Sequence, residues 1–207
     1  MLQKKNKKYL VSSDTQKFCL RSLFQPLVSE TRPDSGDDVS WFPDAETLLL
    51  GRSTWWDDPP SKDPAGVYTL HLSTHRLSFL SGTERLSNPQ LSTDGRWLVA
   101  QEASKLVLYD VATHKKSDLA KTEPGADSIG WSRDGSFFYF ANMGETGVVI
   151  LRVQIRNRSV ERIAELKNLK LVNGASYCWM GLAPDDSPLL LRDVGSQDMY
   201  ALDWAAP

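Results

Sequence analysis

One pattern returns four times along this chain, and it restricts the fold more than any other feature. Each copy is an apolar stretch, a turn built on aspartate, and a second apolar stretch. Residues Val39 to Leu50 read V-S-W-F-P-D-A-E-T-L-L-L and residues Pro89 to Ala100 read P-Q-L-S-T-D-G-R-W-L-V-A. Residues Ile129 to Phe140 read I-G-W-S-R-D-G-S-F-F-Y-F, and Met180 to Leu191 read M-G-L-A-P-D-D-S-P-L-L-L. The aspartates fall in register at Asp44, Asp94, Asp134 and Asp185, at successive spacings of 50, 40 and 51 residues. Helical repeats of that period would carry an apolar stripe every 3.6 residues, and no such stripe is present. A β-propeller blade has a period of about 40 to 50 residues and fits.

The turns have a steric basis. Glycine in Asp94-Gly95 and Asp134-Gly135 accepts positive φ, and the aspartate bonds to nearby backbone, so each copy reads as a hairpin. Three residues before each aspartate stands Trp41, Leu91, Trp131 or Leu182, so both strands of the hairpin are expected to be heavily buried. A third strand follows at Val67–Leu70, Leu106–Tyr109, Val148–Leu151 and Met199–Leu202, rich in β-branched and aromatic residues. After the first three of these come a polar turn, at His75-Arg76, His114-Lys115 and Asn157-Arg158, and a shorter outer strand. Upstream, Tyr9–Ser12, Phe18–Arg21 and Pro26–Ser29 read as the last three strands of a unit without its first.

The expected fold class is therefore all-β: a β-propeller or partial propeller with four recognisable repeats plus an incomplete N-terminal blade. Residues 1–36 hold a basic tail and that incomplete blade, and 37–86, 87–126 and 127–176 hold three full blades. Residues 177–207 hold a final blade without its outer strand, and the whole is one domain.

The segments S-T-D-G-R-W at Ser92–Trp97 and S-R-D-G-S-F at Ser132–Phe137 resemble the Pro-Asp class of WD40-like repeats found in TolB-like propellers. Leu108-Tyr109-Asp110 stands where a WD40 blade carries Trp-Asp. The ending D-M-Y-A-L-D-W, Asp198–Trp204, is similar to propeller regions that close bacterial multidomain regulatory proteins behind kinase or winged-helix domains. The chain departs from WD40 proper in lacking Gly-His before each first strand. It departs from the sialidase Asp-box because its Asp and Gly are adjacent. The resemblance covers roughly residues 37 to 204 and implies a fold, with a protein-binding role and a periplasmic location as further expectations.

Composition excludes several classes. A formal net charge of -2 with 24% charged residues gives no field to hold nucleic acid, although Lys4, Lys5, Lys7 and Lys8 crowd the N-terminus. No stretch approaches the roughly 18 apolar residues of a membrane span, and no apolar h-region follows those lysines. As written, the sequence points to the cytoplasm. Cys19 and Cys178 are too few for a disulfide framework or a zinc site and read as buried thiols.

Catalytic chemistry needs positioned groups. His71 and His75 stand four apart, a metal-binding spacing only on a helix, and this segment reads as strand and turn. His75 and His114 occupy matching turns, which a shared turn geometry explains. No G-x-S-x-G elbow, phosphate-cradling glycine loop or Cys-x-x-Cys pair occurs. Each repeated aspartate belongs to a different blade, far from its counterparts, and makes a turn. No catalytic residue, metal or cofactor is expected.

The distinctive segment outside the repeat is the loop Arg52 to Ala65, with Trp55-Trp56-Asp57-Asp58-Pro59-Pro60. Long loops on a rigid scaffold often carry function. Trp55 and Trp56 offer large apolar area, and Asp57 and Asp58 suit a cationic partner or a sugar hydroxyl. The competing reading makes one tryptophan a cap on the blade and the rest a solvated turn. In propellers of this connectivity, residues 79–86, 121–127, 143–147 and 168–176 share the face of that loop. The expectation is a non-catalytic module binding a protein or small polar ligand. The alternative is an accessory or sensory domain of an enzyme or transcriptional regulator whose other domain lies elsewhere. An unpaired blade edge also invites self-association.

Overall fold

The computed structural model describes residues 39–52, 64–123, 126–144, 147–167 and 180–195. The first sheet runs β1 (Val39–Trp41), β2 (Thr47–Arg52), β3 (Gly66–His71) and β4 (Arg76–Phe79), in that spatial order. The second is β5 (Ser87–Leu91), β6 (Trp97–Glu102), β7 (Lys105–Asp110) and β8 (Lys115–Lys121). The third is β9 (Asp127–Trp131), β10 (Phe137–Gly144), β11 (Gly147–Gln154) and β12 (Val160–Lys167). A two-stranded sheet, β13 (Met180–Leu182) and β14 (Pro188–Leu190), follows. All pairs are antiparallel, and no helix occurs among the described residues. The described sheets do not close into a ring. The third strand expected at 199–202 and the strands expected before residue 30 lie outside the described residues.

Alternation along the middle strands builds the seams between blades. Leu98 and Ala100 of β6, with Val107 and Tyr109 of β7, pack on Leu49, Val67, Leu80 and Leu86 of the first unit. The intervening Val99, Leu106 and Leu108 face the other way, onto Phe138, Phe140 and Val153 of the third. Ala141, Val148 and Ile150 then receive Met180 and Leu190. A strand buried on both faces must be apolar at every position, which is why the middle strands read as continuous runs and not as an alternation. Each such side chain, fully buried, contributes about 1.5–3 kcal/mol.

Two expectations need correction. The first strands β1, β5 and β9 are mostly half-buried, unlike the second strands, because each is a sheet edge bonded on one side only. The outer strand is shorter than its neighbour only in β4; β8 has seven residues against six in β7, and β12 matches the eight of β11. Both long outer strands carry a bulge, with Leu119 and Ile163 as the extra residues. The bulge turns Leu119 into the seam with the third blade, where it is buried.

The fourth hairpin departs from the repeat. Trp41 pairs with Leu48, Leu91 with Leu98 and Trp131 with Phe138, but Leu182 pairs with Pro188, one residue early against the aligned sequences. In the second and third turns the corresponding residue donates its N–H to a serine: Trp97 to Ser92 Oγ and Phe137 to Ser132 Oγ, both at 2.9 Å. Thr47 N–H donates to Asp44 Oδ1 in the first. Proline has no N–H to give, and the hairpin closes one residue tighter. A slip of one residue exchanges the faces of a strand, so Leu190 turns toward the third blade while Leu189 and Leu191 are exposed.

Candidate functional site

Two loop faces emerge. On the first, four hairpin turns share one geometry. The turn bonds Ala45 N to Phe42 O, Gly95 N to Ser92 O, Gly135 N to Ser132 O and Asp186 N to Ala183 O recur at 2.9–3.0 Å. The donor residue is left-handed in every copy, with φ of 54°, 72°, 70° and 64°. Asp44 Oδ1 accepts the N–H groups of Glu46 and Thr47, each at 2.8 Å. Asp94 Oδ1 accepts Ser92 Oγ at 2.5 Å and Arg96 N at 3.0 Å, and Asp134 repeats this with Ser132 and Ser136. Asp185 accepts Ser187 N.

These bonds to the charged form hold all four carboxyls below the usual aspartate value. The leading cause is the Glu46 amide for Asp44 and the Ser92 hydroxyl for Asp94. It is the Ser136 amide for Asp134 and the Ser187 amide for Asp185. The turns are closer together than the sequence reading set them. A Cβ on Gly95 would stand 2.7 Å from Pro43 Cδ, and Arg133 N–H donates to Asp186 Oδ1 at 2.8 Å across the next seam. Each of the four carboxylates is nonetheless occupied within its own turn, so this rim is scaffold.

At the opposite face, some of the described loop residues meet in pairs. Val67 N–H donates to Thr83 Oγ1 at 2.9 Å, so the start of β3 rests on the loop between the first two blades. Gly66 is at φ +142°, and a Cβ there would meet the Thr83 carbonyl oxygen at 2.8 Å, so only glycine permits this approach. Thr122 N–H donates to Ser104 O, joining the next two loops. Trp55, Trp56, Asp57 and Asp58 lie outside the described residues, as do residues 168–176. The base from which that loop springs is described. Arg52 is paired with Gly66 across β2 and β3, and Tyr68 OH donates to Pro64 O at 2.6 Å. Tyr68 is itself held edge-on to Phe79, with ring centres 5.0 Å apart.

Asp127, at the start of β9 on this loop face, escaped the sequence reading. Among the described residues its Oδ1 accepts only the Ser128 N–H, at 2.8 Å, and burial pushes its carboxyl above the usual value. Nothing in the repeat marks it, because burial is a property of the assembled sheet and not of the local motif.

The histidines behave as turn residues. His75 and His114 have φ of 53° and 57°, and Arg158 completes the set at 67°. His71 Nδ1 lies 3.2 Å from Ser73 Oγ and 3.3 Å from Thr74 Oγ1, within its own turn. Tyr109 OH donates to Ser81 O at 2.8 Å and lies 2.8 Å from His114 Nδ1. A carbonyl can only accept, so the one phenolic proton goes to Ser81 and His114 carries its proton on Nδ1. Burial pushes Tyr109 up to about 12, which keeps it neutral, and the pair fastens the second blade to the first. Asp110, after it, accepts the Ala112 and Thr113 amides and thereby makes a turn. Among the described residues no group of three or more His, Cys, Asp or Glu side chains could hold a metal, and no helix could cross a membrane.

The folding pattern defines a class: these sheets have the fold of TolB-type β-propellers. TolB from Acinetobacter baumannii superposes with a TM-score of 0.53 at 22% identity, over 77% of this chain and 39% of that one. A structure described as TolB from Agrobacterium tumefaciens gives 0.51 at 18% identity, over 72% and 50%. The hydrazine synthase of Kuenenia stuttgartiensis gives 0.51 at 15% identity, over 82% and 46%. The chain thus spans half or less of the length of these structures. Both a TolB and an enzyme share the fold, so the fold leaves catalysis undecided. No protein-family model matches the chain, and no curated protein matches it in sequence.

Proposed function

We propose that the chain is a non-catalytic interaction module that presents the loop between β2 and β3, with Trp55, Trp56, Asp57 and Asp58, to a protein or small polar ligand. The observation that carries this reading is the fixed base of that loop: the Arg52–Gly66 pair, the Tyr68–Pro64 bond and the Val67–Thr83 bond. A tryptophan side chain has only two torsions to fix on binding, so its buried area converts efficiently into affinity. Flanking carboxylates favour a cationic protein surface or a ligand rich in hydroxyl groups.

A second reading, an accessory or sensory domain of an enzyme or transcriptional regulator, is favoured by the hydrazine synthase likeness, where the matched region takes up 46% of that chain. The test is recovery of bound partners by the unaltered chain beside Trp55→Ala/Trp56→Ala. Loss of an aromatic anchor of about 2 kcal/mol lowers affinity about 30-fold, and the loop variant should lose its partners accordingly. Equal recovery by both forms assigns binding to another surface.

A further inference from the structure

We propose that the face of the first blade turned away from the second is the seat of residues 1–38 of the same chain, which cover its middle strands and leave Trp41 open. The register identifies this face as a seam. Leu48 holds the position of Leu98 and Phe138, both of which pack on the preceding blade. Every described member of the cluster around Leu48 and Leu70 belongs to the first blade, yet these two are only 3% and 2% exposed. Trp41 on the same blade is 54% exposed.

The contrast has a positional cause. Trp131, which matches Trp41, donates its indole N–H to Gln90 O on the first strand of the preceding blade, at 2.9 Å. Trp41 has no corresponding bond among the described residues. Residues 1–38 run directly into β1, and their sequence holds three short apolar segments, Tyr9–Ser12, Phe18–Arg21 and Pro26–Ser29. Three strands at about 4.8 Å spacing span the middle and outer strands of a blade and stop short of the innermost place. That is the place where a partner for Trp41 would lie. The inference is independent of the binding loop.

Cys19 lies in the second of these segments and reports on the seat. In a Cys178→Ser background, alkylation of Cys19 in the folded chain is expected to run about 100-fold slower than in urea, and equally slowly at every protein concentration. Leu77→Asp, on the half-buried rim of the cluster, should restore fast alkylation, whereas Trp41→Ala should leave it slow. A chain lacking residues 1–36 should keep its β-sheet circular dichroism, bind a hydrophobic dye and melt about 10 °C lower. Fast alkylation in the unaltered chain, or a truncated chain that melts as before without binding dye, overturns the proposal. Protection that fades on dilution also overturns it, because the cover then comes from a second copy.

Discussion

Asp127 and Asp134 stand seven positions apart in one blade, and their surroundings drive them in opposite directions. Asp134 is exposed and accepts three bonds within its turn, which favour the anion. Asp127 is withdrawn from water against a single amide, and the anion is penalised. A carboxyl raised on folding stabilises fully below its unfolded value, near 4, and that contribution is lost as pH rises through the folded value. Asp127→Asn keeps an oxygen for the Ser128 amide and removes the charge. Urea denaturation should therefore show the variant more stable than the parent at pH 7, with the gain gone by about pH 3.5. A gain that persists in acid would assign the effect to packing. The turn aspartates were legible because a turn is local chemistry, written in adjacent residues. Asp127 was not, since its withdrawal from water arises only in the assembled fold.

At the level of the hairpin, Gly95 and Gly135 make the same turn but only one touches its neighbour. Alanine at Gly135, φ +70°, meets nothing within 4 Å and should cost about 1–2 kcal/mol for the left-handed backbone alone. Alanine at Gly95 pays that cost and also drives a methyl into Pro43, adding about 1–3 kcal/mol. Chemical denaturation of the two variants measures the difference, and equal losses would mean that the first two turns do not press on each other. The strand order and the three full hairpins were readable because apolar runs and Asp-Gly turns recur in phase. The slip of the fourth hairpin was also written in the sequence, as the missing N–H of Pro188, but alignment by aspartate hides it. The length of the outer strands could not be read, because bulges at Leu119 and Ile163 answer to the twist of the sheet and not to residue type.

The molecule as a whole is a row of seams with an unlike end. After the third blade the described chain exposes Leu189 at 42%, Leu191 at 49% and Val194 at 84% on and beside β14. Exposed apolar side chains gathered in this way favour contact with another chain. Light scattering should find a mass of 23.2 kDa at low concentration, rising as protein is added, and Leu189→Lys/Leu191→Lys should hold it at the single-chain value. A mass independent of concentration in the unaltered chain would show that this end does not self-associate. The propeller character was legible from the spacing of the aspartates; which loops share the face opposite the aspartate turns needed the connectivity of the sheets as well.

The seams also bear on how such a chain can change its length. Leu98 and Phe138 meet their predecessors through the same register position, so a blade copied in frame would arrive with its contact surface already cut to fit. Duplication or loss of one unit between Asp44 and Asp134 would leave every remaining join intact. The fourth hairpin breaks that interchangeability. Its strand is slipped by one residue, so Pro188 stands at the register position by which Leu98 and Phe138 meet the blade before them. One imino acid thereby sets the fourth unit apart from the two whose join to the preceding blade is made by Leu98 and Phe138.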